Sequence, residues 1–293
     1  MNHLYRVTML ASLVAAFSST VFAAPDMTVQ GVQMPAWLQR DNAQYPLSVG
    51  TQLNNDDKII TGANARVLLQ GADGSAIKLG QNANLRVSNL AQKFEDKPLF
   101  TALLDVAKGA FRFTTAVLVK TKPRAITINV ANATIGIRGT DVWGKDGDDK
   151  GIVCLIEGKI AVQGADKSQF EMDQPLSFYE MPKGAAAKAV TAVDPVQLNL
   201  WAAETDIAPD AAAAKRGGQW KVILLTAADQ ASALNAYDAW RAEGYAVRLM
   251  PVLQGDAHLY QVRIESFASK AAALQLAKEV TGKLGADSPS VIR

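Results

Sequence analysis

The sequence predicts a multi-domain chain, an all-β domain followed by a smaller α+β domain, and three observations carry that expectation. At 293 residues the chain exceeds one average domain and suits two. From about Pro46 to Gly164 apolar residues alternate in short runs broken by turn residues, the signature of strands and tight hairpins. After Gly218 the period changes, and strand-like runs are separated by segments whose apolar residues recur three and four apart.

The first 23 residues read as a signal peptide. MNHLYR is a short cationic start, VTMLASLVAAF an apolar run, and Val21-Phe22-Ala23 an A-x-A-like cleavage site. Cleavage after Ala23 removes Arg6 and takes the formal net charge from +2 to +1. With 49% hydrophobic and 20% charged residues, the rest has the balance of a globular protein. Near-neutrality and the lack of a dense Lys/Arg cluster argue against nucleic-acid binding. No other apolar run approaches the length needed to cross a bilayer, so the mature chain is expected to carry no transmembrane span.

Residues 24–44 are read as an N-terminal segment and 45–165 as the β-domain. LQGADGSAIKLG has apolar runs either side of Asp73-Gly74, AITINVANATIGI alternates Ile126, Ile128 and Val130, and LIEGKIAV turns at Glu157-Gly158. PLFTALLDVAKG predicts a helix over 98–109, stopped by Gly109. The only cysteine, Cys154, excludes an intramolecular disulfide. Alternation places it with Ile152 and Ile156 on one strand face, opposite Val153 and Leu155, as a small apolar filler.

Residues 166–216 read as a linker, because KGAAAKAVTAVDP and APDAAAAKRGG are rich in Ala, Pro and Gly. Within it DPVQLNLWAAE predicts one short helix, N-capped by Asp194 with Pro195 at its first position, whose Trp201 packs back on the β-domain.

Residues 217–293 are expected in the order strand, helix, strand, strand, helix, strand. The strands are 220–226, 245–253, 260–266 and 290–293; the helices are 230–243, closed by Gly244, and 270–284, capped by Ser269 and stopped by Gly285. Ala233, Tyr237 and Trp240, then Ala273, Ala277, Val280 and Leu284, recur at helical spacing, so two helices cover one face of a four-stranded antiparallel sheet and leave the other open.

With its motifs laid out, the β-region resembles the FecR-like domain, named for a periplasmic protein of iron-dicitrate signalling. LSVGTQLNNDDKIITGANARVLLQGADGSAIKLGQNANLRV, KGAFRFT, ITINVANATIGIRGTDVWG and VCLIEGKIAV follow in that family's order. IRGTD is the family's signature turn. Gly136 and Gly139 permit unusual backbone angles, and Arg138 is placed to pair with Asp141 or orphan carbonyls. Arg138, Gly139, Thr140 and Asp141 are therefore read as structural, with a partner contact by Arg138 as the alternative. The C-terminal region resembles the SPOR domain, a repeat that binds peptidoglycan glycan strands lacking stem peptides, with Tyr260, Val262, Phe267 and Ala273 of LYQVRIESFASKAAALQLAKEVTGKLG at family positions. It departs from the family at Ile223, Leu225 and Ala227, where glutamine, glycine and phenylalanine are favoured, and at Glu265, usually glycine. The resemblances imply an all-β FecR-like domain plus an α+β (βαββαβ, ferredoxin/RNP-like) SPOR domain.

Strand periodicity independently nominates a surface. If Val222, Leu224, Val262 and Ile264 face the helices, then Lys221, Ile223, Leu225, Gln261, Arg263 and Glu265 face outward, joined by Arg248 and Met250. Amide and guanidinium donors beside apolar side chains suit a sugar chain. The residues assigned to glycan are Lys221, Ile223, Arg248, Met250, His258, Gln261 and Arg263.

Other chemistry lacks residues. Asp146, Asp148, Gly151 and Glu157 match EF-hand loop positions, but Lys150 falls where an oxygen ligand is needed and the flanks read as strands. After signal removal His258 is the only histidine, which excludes a multi-histidine zinc site. Asp56 and Asp57, like Asp148 and Asp149, are adjacent turn residues that point apart rather than across a substrate. No Gly-rich loop opens a helix after a strand, so no nucleotide site is expected. The expectation is an exported periplasmic protein without enzymatic activity or cofactor, holding glycan strands through one domain and a protein partner through the other. The alternatives are sigma-factor signalling through the membrane and a wall-cleaving enzyme.

Overall fold

The computed structural model describes residues 27–94, 98–115, 124–137 and 139–293. The expected signal peptide with its cleavage point, and Arg138, lie outside the described residues.

The expected N-terminal segment, 24–44, is instead part of the β-domain from residue 27 on, forming β1 (Met27–Gln33), β2 (Ala36–Arg40) and the start of β3 (Ala43–Pro46). Then follow β4 (Lys58–Thr61), β5 (Arg66–Gly71), β6 (Ala76–Leu79), β7 (Asn84–Phe94) and β8 (Pro98–Thr114). The segment expected as a helix over 98–109 is thus the first part of a 17-residue strand. Phe100, Ala102, Leu104 and Val106 are buried while the residues between them are not, and both edges are paired, antiparallel to β7 and parallel to β9 (Arg124–Val130). Hydrogen bonding on both sides overrides a sequence compatible with either period. Gly109 does not stop a helix: at φ +83° it turns β8 from one sheet into the other, packed so close to Ala83 that a Cβ would lie 2.6 Å from its Cα.

The remaining strands of the β-domain are β10 (Ala133–Ile137), β11 (Asp141–Asp146), β12 (Lys150–Glu157), β13 (Ile160–Gln163), β14 (Gln169–Met172), β15 (Ser177–Pro182) and β16 (Thr191–Ala192). One sheet runs β1–β5–β6–β8–β11–β12–β15–β16 and the other β3–β2–β4–β7–β8–β9–β10–β13–β14, with β8 shared at the corner. Their facing sides enclose the main core, including Val29, Leu69, Ile77, Phe111, Phe113, Ile126, Ile128 and Ile135. The Asp73-Gly74 hairpin forms as expected. Glu157-Gly158, in contrast, joins no hairpin: β12 pairs with β11 and β15, and β13 with β10 and β14, so this turn carries the chain between sheets.

The first sheet is buried on its outer side too. Helix α1 (Pro195–Thr205) starts as the sequence predicts, with Asp194 accepting from the amides of Val196 and Gln197. Trp201 stacks on Trp143, ring centroids 4.9 Å apart, above Cys154, Ile152, Val193 and Phe178. This is why β12 reads as the nearly unbroken apolar run IVCLI. Lys145 binds Glu204 at 2.8 Å and Lys78 binds Asp206 at 2.6 Å, fixing the helix end. Before α1, Glu180 accepts from Lys150 at 2.6 Å and Lys188 at 2.5 Å, which holds residues 183–190 along a cleft of about 500 Å³ lined in part by Phe170 and Tyr179.

Residues 166–216 are therefore not a slack linker. They contribute β14, β15 and β16, dock α1, and end in β17 (Ala213–Lys215), which pairs with β1 and, at Ala214, with Phe267 of the next domain. The alanine run read as part of the linker is buried at Ala212, Ala213 and Ala214, where small side chains let backbones approach.

The C-terminal unit has the predicted order: β18 (Trp220–Ala227), α2 (Gln230–Ala242), β19 (Val247–Gln254), β20 (Ala257–Phe267), α3 (Lys270–Val280) and β21 (Ser290–Ile292). The sheet runs β19–β20–β18–β21, antiparallel throughout. Both helices lie on one face, over Val222, Leu224, Val247, Val262 and Ile264. Helix α3 ends a turn early, its last amide bond donated by Thr281 to Ala277; Gly282 at φ +78° turns the chain away and Leu284, expected in the core stripe, is exposed. Gly244 closes α2 as expected, and its carbonyl accepts from Ala36 of β2, a second link between the domains.

Candidate glycan-binding face

The sheet face opposite α2 and α3 carries the nominated residues other than His258, and β20 is its axis. Arg263 lies opposite Ile223 on β18 and Arg248 on β19, and Gln261 lies opposite Thr226 and Met250. Opposed residues of antiparallel strands share a face, so Ile223, Arg263, Arg248, Gln261 and Met250 come together as predicted. Lys221 stands at the β21 side of the same face, opposite Ile292.

Two residues move. The β18–β20 ladder shifts between Ile223 and Leu225, so Leu224 and Leu225 together face Val262. This bulge carries Leu225 to the helix side, where it packs on the core, and brings Thr226 out in its place. Three successive apolar residues, Ile223-Leu224-Leu225, are the signal that alternation breaks here. His258, expected beside the face, pairs with Leu253 and lies an even number of residues from Tyr260 and Val262 along an unbroken ladder. It therefore shares their side of the pleat and is exposed beyond the helices rather than on the open face. The same ladder adds Leu259 and Val252 to the open face.

Glu265 dominates the electrostatics. Its Oε1 accepts from Nε of Arg263 at 2.7 Å, and its Oε2 lies 3.3 Å from Nε of Arg248. The face thus presents an amide, a hydroxyl, two carboxylate-bound guanidinium groups and the apolar Ile223 and Met250. That set can hydrogen-bond hydroxyl and acetamido groups while covering the apolar side of a sugar ring.

In the β-domain, the signature turn is held from an unexpected quarter. Asp141 accepts from Arg112 on β8 through two bonds, Nε at 2.9 Å and Nη2 at 2.6 Å, and from Thr114 at 3.2 Å. The expected partner, Arg138, lies outside the described residues. Thr140 exchanges bonds with Thr115: its amide donates to Oγ1 and its carbonyl accepts from the Thr115 amide. Gly139 at φ +75° passes so close to Gly158 that a Cβ on the latter would lie 2.6 Å from the Gly139 carbonyl oxygen. The Arg112 guanidinium beside Asp141 holds its proton more firmly than usual. The KGAFRFT run held the clue, since Arg112 falls between the inward Phe111 and Phe113.

The carboxylates considered for catalysis diverge. Asp56 reaches out to Arg86, whereas Asp57 is buried against Arg40 at 2.6 Å. Among the described residues no cluster of three or more His, Cys, Asp or Glu side chains could hold a metal ion. The acidic segment Asp146 to Asp149 connects two strands, with Lys183 3.2 Å from Asp146.

Comparison with known proteins agrees with the two-part architecture. The family model described as FecR protein matches residues 57–161, and that described as SPOR domain matches residues 216–293. No curated protein matches the chain. Two crystal structures of a candidate anti-sigma factor from Parabacteroides distasonis align over 77% of this chain and 92% and 91% of theirs, at 14% identity and a TM-score of 0.40, a similarity too low to carry any reading.

Proposed function

We propose that this chain, a FecR domain followed by a SPOR domain, is an exported periplasmic protein that binds peptidoglycan glycan strands on the open face of its C-terminal sheet. The observation that carries the reading is the row Ile223–Arg263–Arg248 beside Thr226–Gln261–Met250, polar donors and apolar side chains in register on the sheet face that neither helix covers. Strands denuded of stem peptides, as at a dividing septum, are the preferred form. The FecR domain acts as scaffold and protein-interaction module, and no catalytic role is assigned to any residue. Among the described residues no helix is long and apolar enough to cross a membrane.

The test is retention of the full chain on sacculi before and after amidase digestion, with a Gln261→Ala/Arg263→Ala variant in parallel. Retention should rise on digestion and fall about tenfold or more in the variant, two hydrogen-bonding side chains being lost. No retention on either material overturns the reading. Mass spectrometry of the chain from an envelope fraction should find Ala24 as the first residue.

The FecR match favours a second reading, regulation of a sigma-factor pathway through the β-domain. It requires a cytoplasmic segment and a spanning helix, so an uncleaved, membrane-embedded N-terminus would favour it over the first.

A further inference from the structure

Arg248 and Arg263 stand directly opposite one another across β19 and β20. Like charges so placed repel. Glu265, two residues along β20 on the same side, relieves them, giving one oxygen to each: Oε1 is 2.7 Å from both Nε and Nη2 of Arg263, and Oε2 is 3.3 Å from Nε of Arg248. The Arg263 and Glu265 side chains are 16% and 21% exposed, but Arg248 is 70% exposed, so much of its guanidinium fork faces solvent.

We propose that Arg248 and Arg263 form a carboxylate subsite within the glycan face, and that Glu265 fills it in the free chain as a built-in competitor that sets specificity. This deepens the glycan-binding reading and rests on it. Hydrolysing the amide that joins a stem peptide to muramic acid leaves a free lactyl carboxylate on the sugar; in intact wall the same carboxyl is an amide. A guanidinium fork recognises the carboxylate in two-point fashion and gains little from the amide. Glu265 sharpens the distinction. An isolated small anion must compete with a carboxylate already tethered beside the arginines, at the high effective concentration that tethering provides. A stripped strand, held at the same time by Gln261, Met250 and Ile223, can deliver its carboxylate against that competitor. Glu265 is thus a specificity-determining residue that acts through the arginines.

The experiment compares the full chain with its Glu265→Gln variant on intact sacculi, on amidase-digested sacculi, and on digested sacculi whose carboxylates have been converted to amides with carbodiimide and ammonia. Removing the competitor should tighten binding to digested sacculi roughly tenfold, the effect of one charge-assisted hydrogen-bonding partner. The gain should shrink as salt rises, disappear on the amidated material, and be cancelled by adding Arg248→Ala. Glu265→Gly serves as a second variant if Glu265→Gln lowers the thermal midpoint. Wild-type binding with no gain in either variant, or a gain that persists on amidated sacculi, overturns the subsite and leaves glycan binding standing. Failure of every form to bind any of the three materials overturns glycan binding and the subsite together.

Discussion

Cys154 shows how far single residues could be read. Alternation assigned it to one face of a strand with Ile152 and Ile156, and there it lies, fully buried beneath Trp201. Burial, and next the nearby Asp141 carboxylate, push its thiol up to about 12 from an ordinary value of 9.0. Its thiol form therefore favours the folded state fully below pH 9, and that contribution is lost as pH rises from there through about 12. In native protein at pH 8, iodoacetamide should leave Cys154 unmodified by mass spectrometry, and guanidinium should make it react within minutes; rapid labelling without denaturant would contradict the burial. Asp141 was less legible. A signature motif advertises its own neighbours in sequence, whereas Arg112, which holds the carboxylate, comes from a strand 29 residues away. Long-range pairing of that kind leaves only a faint trace, here a cation placed between two inward phenylalanines.

At the scale of elements, α1 was predicted from its cap and its proline, and its tryptophan was expected to dock. Replacing Trp201 with alanine removes the stack on Trp143 and opens a cavity over Cys154, so urea denaturation should show a loss of about 3 kcal/mol. An unchanged midpoint would place α1 outside the cooperative core. Strand β8 was misread because its apolar residues satisfy both periods, and only its two pairing partners choose between them. The bulge in β18 and the early end of α3 are similar: each depends on register or on a positive φ at a particular residue rather than on composition. The segment 183–190 gives a pH-dependent expectation. Lys150 and then Lys188 hold the Glu180 carboxyl below the usual glutamate range. A depressed value means a contribution present above that range and lost as pH falls through it, below about pH 4. Glu180→Gln should flatten the acid limb of a stability–pH curve and leave the curve parallel to wild type above pH 6. An acid limb as steep as wild type would show that the lysines do not grip this carboxylate.

For the whole molecule, the sequence showed two domains in the right order and missed how they join. The Ala/Pro/Gly-rich composition of 166–216 suggested slack, but alanines pack closely as readily as they flex, and β17 uses them to pair with β1 on one side and Phe267 of β20 on the other. Ala36 and Gly244 add a bond at a second point, and a Cβ on Gly244 would lie 2.5 Å from the Trp37 ring. Folding of the two units should accordingly be coupled. Urea unfolding followed by tryptophan fluorescence and by far-ultraviolet circular dichroism should give one coincident transition. Two resolved steps would mean that the junction contributes little. Gly244→Val should separate the steps by forcing Trp37 away.

The strand pairing at β17 also has a mechanical meaning. If the C-terminal sheet holds a glycan strand, tension on that strand enters the sandwich through hydrogen-bonded backbone and not through a coil that must first be drawn taut. The chain would then report the position and orientation of the sugar to whatever rests on its other end, as a bracket does and a leash cannot.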